Sequence, residues 1–145
     1  MWGNKWTFMD IGRHWVIMMS KIQDFTDLII YQLAVELADW IYELTAKFPE
    51  DEKYNLTSQL RRASTSVYSN IAEGFGRYHY KENKQFCRIA RGSLYETKAH
   101  MLFSNKREYV SQQMLDQYLK RHTTLAIKLN NYINATGTKD RPNVD

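Results

Sequence analysis

Six residues between Lys81 and Lys98 recur at helical spacing and share one chemistry. Lys81, Lys84, Arg88, Arg91, Tyr95 and Lys98 follow one another three or four apart, so a helix carrying them presents all six along one side. Arg77 lies just ahead, in the turn expected before that helix. Cations neutralise phosphates, and an aromatic ring among them stacks on a base, so the pattern fits a nucleic-acid contact. A solvated charged face, or one that meets an acidic strip on a neighbouring chain, has the same spacing.

A second cluster holds Arg62, Asn70, Glu73 and Glu96. Asn70 and Glu73, three apart, suit a hydrogen-bonded pair turned toward a neighbouring helix. A buried carboxylate needs a cation or a donor, which Arg62 or Arg61 can supply. Spacing places no nucleophile or second carboxylate beside them. The expectation is a buried polar network that sets helix register or subunit contacts.

Other chemistries find no ligand set. A di-iron bundle calls for glutamates on four helices and two Glu-x-x-His pairs; this chain has only Glu96-x-x-x-His100. His122 falls on an apolar stripe and reads as a satisfied core histidine, and Cys87 as a packing thiol. Gly74-Phe75-Gly76 is too short for a phosphate loop and reads as a helix end. The expectation is a protein that is not an enzyme, with no cofactor, no metal and no small-molecule substrate.

The elements that carry these residues are helices. The 145 residues suit one domain with a real core. Two prolines and six glycines leave few helix breaks, and strand-like alternation is absent over any useful length. The fold class expected is all-α, an antiparallel up-down-up-down four-helix bundle over residues 22–135, with short connections. The first helix, 24–47, carries two apolar stripes. Leu28, Tyr31, Val35, Ala38, Ile41 and Phe48 form one, and Ile30, Leu33, Leu37, Trp40 and Leu44 the other. A bundle helix normally hides one stripe, so the second is expected to be an oligomer interface. The second helix, capped by Asn55, runs to Gly74–Gly76; the third spans 80–104 and the fourth 111–135. Residues 136–145 lose the apolar period and form a flexible tail.

The net charge of +4 permits a nucleic-acid or acidic-protein partner without demanding one. One cysteine excludes an internal disulfide and fits a reducing, cytoplasmic setting. The Asn-x-Thr sequons at Asn55 and Asn134 are then coincidental. Residues 1–21 form an apolar leader rich in tryptophan, too short and too interrupted by Asp10, Gly12, Arg13 and His14 to span a bilayer. It is expected to be either a non-native extension or an arm docking on a neighbouring subunit or, less favoured, a membrane surface.

The stretch Gln59-Leu60-Arg61-Arg62-Ala63, then Ser66, then Asn70-Ile71-Ala72-Glu73-Gly74 carries a resemblance. Asp24-Phe25-x-Asp27-Leu28, Phe48-Pro49-x-x-Glu52-x-Tyr54-x-Leu56, Phe86-x-x-Ile89-Ala90-x-Gly92-Ser93 and Glu96 extend it. The chain resembles the four-helix-bundle proteins encoded in intervening sequences of 23S rRNA genes. That group is similar to the accessory variability protein of diversity-generating retroelements. The resemblance implies a homopentameric ring and a nucleic-acid ligand, RNA ahead of DNA. In the retroelement relatives it also implies a reverse-transcriptase partner. Relatives usually begin just before the Asp-Phe-x-x-Leu motif, which makes Met18 or Met19 the expected start. Asn83 stands where relatives are commonly aromatic, and His79 where they carry a Ser or Thr cap, so the start of the third helix is expected to be loosened. The expected function is an oligomeric nucleic-acid-binding accessory protein. The alternative is a homo-oligomeric scaffold that binds an acidic protein partner.

Overall fold

A computed structural model describes residues 6–10, 15–19 and 22–137. Four helices, α1 (Ile29–Thr45), α2 (Leu56–Gly76), α3 (Tyr80–Lys106) and α4 (Gln112–Ala135), make an all-α bundle. Before them stand two short antiparallel strands, β1 (Trp6–Asp10) and β2 (Trp15–Met19), with Trp6 opposite Met19 and Asp10 opposite Trp15. The all-α bundle is as expected, and the strands precede it: both segments are rich in the aromatic and β-branched residues that favour extended backbone. The tail expected over 136–145 lies, beyond Gly137, outside the described residues.

Cross-helix contacts fix the direction of each neighbour. Arg61 Nε donates to Thr45 Oγ1 at 2.9 Å, while the rings of Tyr31 and Tyr68 meet at 6.2 Å, so α1 and α2 run antiparallel. Ser66 bonds Ser93 at 2.9 Å and Gly74 abuts Asn83, which orients α3 against α2. Asn83 reaches Tyr132 and Tyr95 meets His122, which orients α4 against α3. Trp40 stacks on Tyr118, 6.3 Å apart, closing the bundle between α1 and α4.

The core follows from the helical apolar period. Leu37, Ile41, Leu60, Val67, Ile71, Leu94, Met101, Leu125 and Leu129 are buried together. The second stripe of α1 is covered from within the chain: Ile30, Leu37 and Leu44 are buried, and Leu33 and Trp40 are half-buried. Each helix of a four-helix bundle meets two neighbours, so α1 hides one stripe against α2 and the other against α4. The stripe is therefore not exposed along its length as expected; surface remains at the half-buried Leu33 and Trp40, and beside Leu33 a shallow opening reaches Leu37.

Two helix starts differ in how they are capped. Ser111 accepts the Met114 N–H at 3.2 Å, as the fourth helix was expected to begin. Asn55 does not cap α2; its amide turns back to the Asp51 carbonyl, and Glu52 Oε2 takes the Leu56 N–H at 3.2 Å.

Candidate nucleic-acid interface

The third helix divides its basic row into two lines seven residues apart. Lys84, Arg91 and Lys98 are half-buried along the flank that faces α4, and Lys81, Arg88 and Tyr95 stand more exposed beside them. Seven residues are nearly two turns, so each line climbs one side of α3. Arg91 Nη1 donates to Asn130 Oδ1 of α4 at 2.9 Å, which holds one guanidinium along the groove and leaves its other N–H groups free of that bond. Among the described residues the ion pairs are Lys53–Glu50, Arg77–Glu73 and His100–Glu96. None engages a cation of this row.

Tyr95 has a definite seat. About half its surface is exposed, and its ring meets the edge of His122 at 5.1 Å. His122 is buried; Tyr118 Oη lies 3.5 Å from its Nδ1. Burial, and then the charge of Lys98, depress the imidazole pKa below its ordinary value. The histidine is thus the core residue that its sequence position implied, and it supports the aromatic member of the basic row from beneath.

Arg77 does not join the row. Its Nη2 lies 2.7 Å from Glu73 Oε1 and its guanidinium lies 4.8 Å from the Phe86 ring. Phe86 faces α2, where its Cβ approaches Gly74. The turn residue is therefore held on the opposite flank of α3 from Arg91.

The polar cluster expected from Arg62, Asn70, Glu73 and Glu96 does not assemble. Arg62, Glu73 and Glu96 are exposed, and Glu96 pairs with His100 at 3.6 Å. The helical spacing that put them near one face was too coarse to decide which of them turned inward. A smaller network takes its place at the α2–α3 seam. Asn70 Nδ2 donates to the Ser66 carbonyl at 2.8 Å and to Ser66 Oγ at 2.9 Å, and Ser66 Oγ bonds Ser93 Oγ. Small buried residues on the two helices, Ala63, Ala90 and Ser93, leave room for this bond.

Asn83 is the residue that sequence reasoning misjudged. It is buried, donates to the Tyr132 hydroxyl and accepts from Cys87 Sγ at 3.5 Å. A Cβ on Gly74 would lie 2.9 Å from its Oδ1. The start of α3 is tied to the ends of α2 and α4 through this amide, so Asn83 does not loosen it, while His79 gives the helix no side-chain cap, as its place in the sequence implied. Burial raises the Cys87 thiol to about 11.

Among the described residues no three His, Cys, Asp or Glu side chains gather to hold a metal ion. No described helix is long and apolar enough to cross a membrane.

The family model for the 23S rRNA-intervening sequence protein matches residues 26–131, from the 3-10 turn Phe25–Asp27 to the last turns of α4. The chain belongs to that family. A solved structure of this kind, described as a protein with unknown function from the S23 ribosomal protein family of Bacteroides thetaiotaomicron VPI-5482, shares the 23S rRNA-intervening sequence protein fold. It aligns at TM-score 0.69 and 19% identity, over 74% of this chain and 96% of that one. At that identity the likeness shows the fold alone. No curated protein matches the chain.

Proposed function

We propose that this 23S rRNA-intervening sequence protein is a non-enzymatic, cytoplasmic accessory protein that self-associates and binds nucleic acid, RNA ahead of DNA. The contact runs along Lys81, Lys84, Arg88, Arg91, Tyr95 and Lys98. The observation that carries this reading is the row itself: five cations and a supported aromatic ring along α3, none paired with a carboxylate among the described residues. A phosphate backbone supplies the missing anions and a base the missing stacking partner. The intervening-sequence context of the family favours RNA.

Retention of a structured RNA across a salt series tests it. Five phosphate contacts set a ceiling of about −4.5 for the log–log salt slope of a duplex, per chain. Arg88→Glu with Arg91→Glu should abolish retention while helicity stays unchanged; undiminished binding would discard this flank. Exposed Ile89, Leu102, Phe103 and Ile127 favour a second reading, a homo-oligomeric scaffold for an acidic protein. Binding that resists salt would support the scaffold.

A further inference from the structure

A shallow pocket opens between α1 and α4, away from the basic flank of α3. Leu33 and Leu37 form its apolar floor, and Glu36, Lys120, Arg121 and Thr124 its rim. Its volume of about 240 Å³ equals that of roughly eight waters in the liquid, room for one phenol ring. The Arg121 guanidinium lies 5.7 Å from the Trp40 ring, and among the described residues neither it nor Lys120 is in an ion pair. This leaves an apolar floor with two available cations beside it.

The same chain carries a matching projection. The 3-10 turn Glu50–Glu52 leads into Lys53 and Tyr54, and Tyr54 is 84% exposed, the most exposed large hydrophobic residue of the bundle. Asp51 stands exposed beside it, as does Glu50, which is 3.7 Å from Lys53 Nζ in a solvent-exposed pair. The turn is braced: Glu52 Oε1 accepts from the Tyr109 hydroxyl at 3.2 Å and its Oε2 from the Leu56 N–H. A braced loop loses little freedom on docking. A chain cannot fill its own pocket with this turn, because the rigid helix from Leu37 to Thr45 alone separates them by about 12 Å.

We propose that the pocket receives the Glu50–Tyr54 turn of a second copy of this chain, with Tyr54 on Leu33 and Leu37 and with Glu50 and Asp51 facing Lys120 and Arg121. Glu36 offers the phenol hydroxyl an acceptor. The contact is head-to-tail, so each copy gives one turn and takes one, producing a ring if the rotation closes and a filament if it does not. Tyr54 acts as the buried anchor of a larger contact area. The inference rests on the self-association proposed above and specifies its surface.

Light scattering behind a sizing column tests it with wild type, Tyr54→Ala, and Lys120→Glu with Arg121→Glu. Wild type should assemble, and each variant should fall to monomer with unchanged far-UV circular dichroism. Mixing the two variants should give one-to-one heterodimers, since one intact turn and one intact pocket remain. Monomeric wild type would overturn self-association and this contact together. An assembled wild type whose variants assemble equally well would overturn the contact alone. Loss on the pocket variant but not on Tyr54→Ala would place a different acidic segment in the pocket and reject the turn. A mixture that stays monomeric at concentrations that assemble wild type would also reject it.

Discussion

Asn83 Nδ2 donates to the Tyr132 hydroxyl at 3.1 Å, tying the first turn of α3 to the last turns of α4. The amide is buried, so removing it leaves a phenol hydroxyl and a thiol without this partner. Asn83→Ala should destabilise the fold by about 1–3 kcal/mol. The urea midpoint checks this.

Gly74 should tolerate no side chain. An added Cβ would lie 2.9 Å from Asn83 Oδ1 and 3.0 Å from both the Asn83 carbonyl oxygen and Phe86 Cβ. A backbone atom among these neighbours cannot step aside as a flexible side-chain end can. Gly74→Ala should cost about 1–3 kcal/mol through overpacking, despite alanine's better helix propensity. Gly92→Ala, with nothing near its Cβ position, should be neutral or stabilising by the same measurement.

Helix capping separates two residues with similar sequence credentials. Ser111→Ala removes a side-chain cap and should cost about 1 kcal/mol. Asn55→Ala removes only a bond to the Asp51 carbonyl and should cost less. Equal losses in thermal melts would contradict the cap geometry.

His122 should make the bundle sensitive to acid. Its pKa in the folded protein lies below the ordinary 6.5, because of burial first and Lys98 second. Above that ordinary value the imidazole is neutral in both states and this contribution to stability is complete. As pH falls through 6.5 the unfolded chain takes a proton that the folded chain resists, so stability declines by at most about 1.4 kcal/mol per pH unit from this group. His122→Gln should flatten that part of a pH series of urea midpoints.

Tyr95 should matter for binding more than Arg77. Base stacking is worth about 1–3 kcal/mol when the ring is removed, so Tyr95→Ala should weaken RNA retention measurably. Arg77→Ala, on the far flank with Glu73, should leave it within about twofold, since exposed pairs of this kind contribute little. The reverse order of effects would move the contact to the α2–α3 side.

The four helices were legible because apolar residues recur along each at the helical period, and the ends predicted for α2 and α4 lie within about two residues of those observed. The basic row was legible for the same reason: spacing alone puts Arg88 and Tyr95 on one side. Spacing does not say which neighbour covers a stripe. This is why Ile30 and Leu44 fall on a stripe expected to face outward although both are buried within the chain. It is also silent on partners contributed by another helix, such as Asn130 to Arg91 or Tyr132 to Asn83. Gly74 looked like a helix stop, but its role is to let α3 come close. The extended pair β1 and β2 escaped because five-residue segments are too short for alternation to stand out.

The single thiol gives the protein an internal gauge. Cys87 is shut inside the bundle and held protonated by its surroundings, while an alkylating reagent attacks the thiolate. The rate at which it is modified therefore reads how often α3 parts from its neighbours, at one site and without an added label. Ligand or subunit contacts that steady the bundle will register as slower modification, even where they lie far from the sulfur.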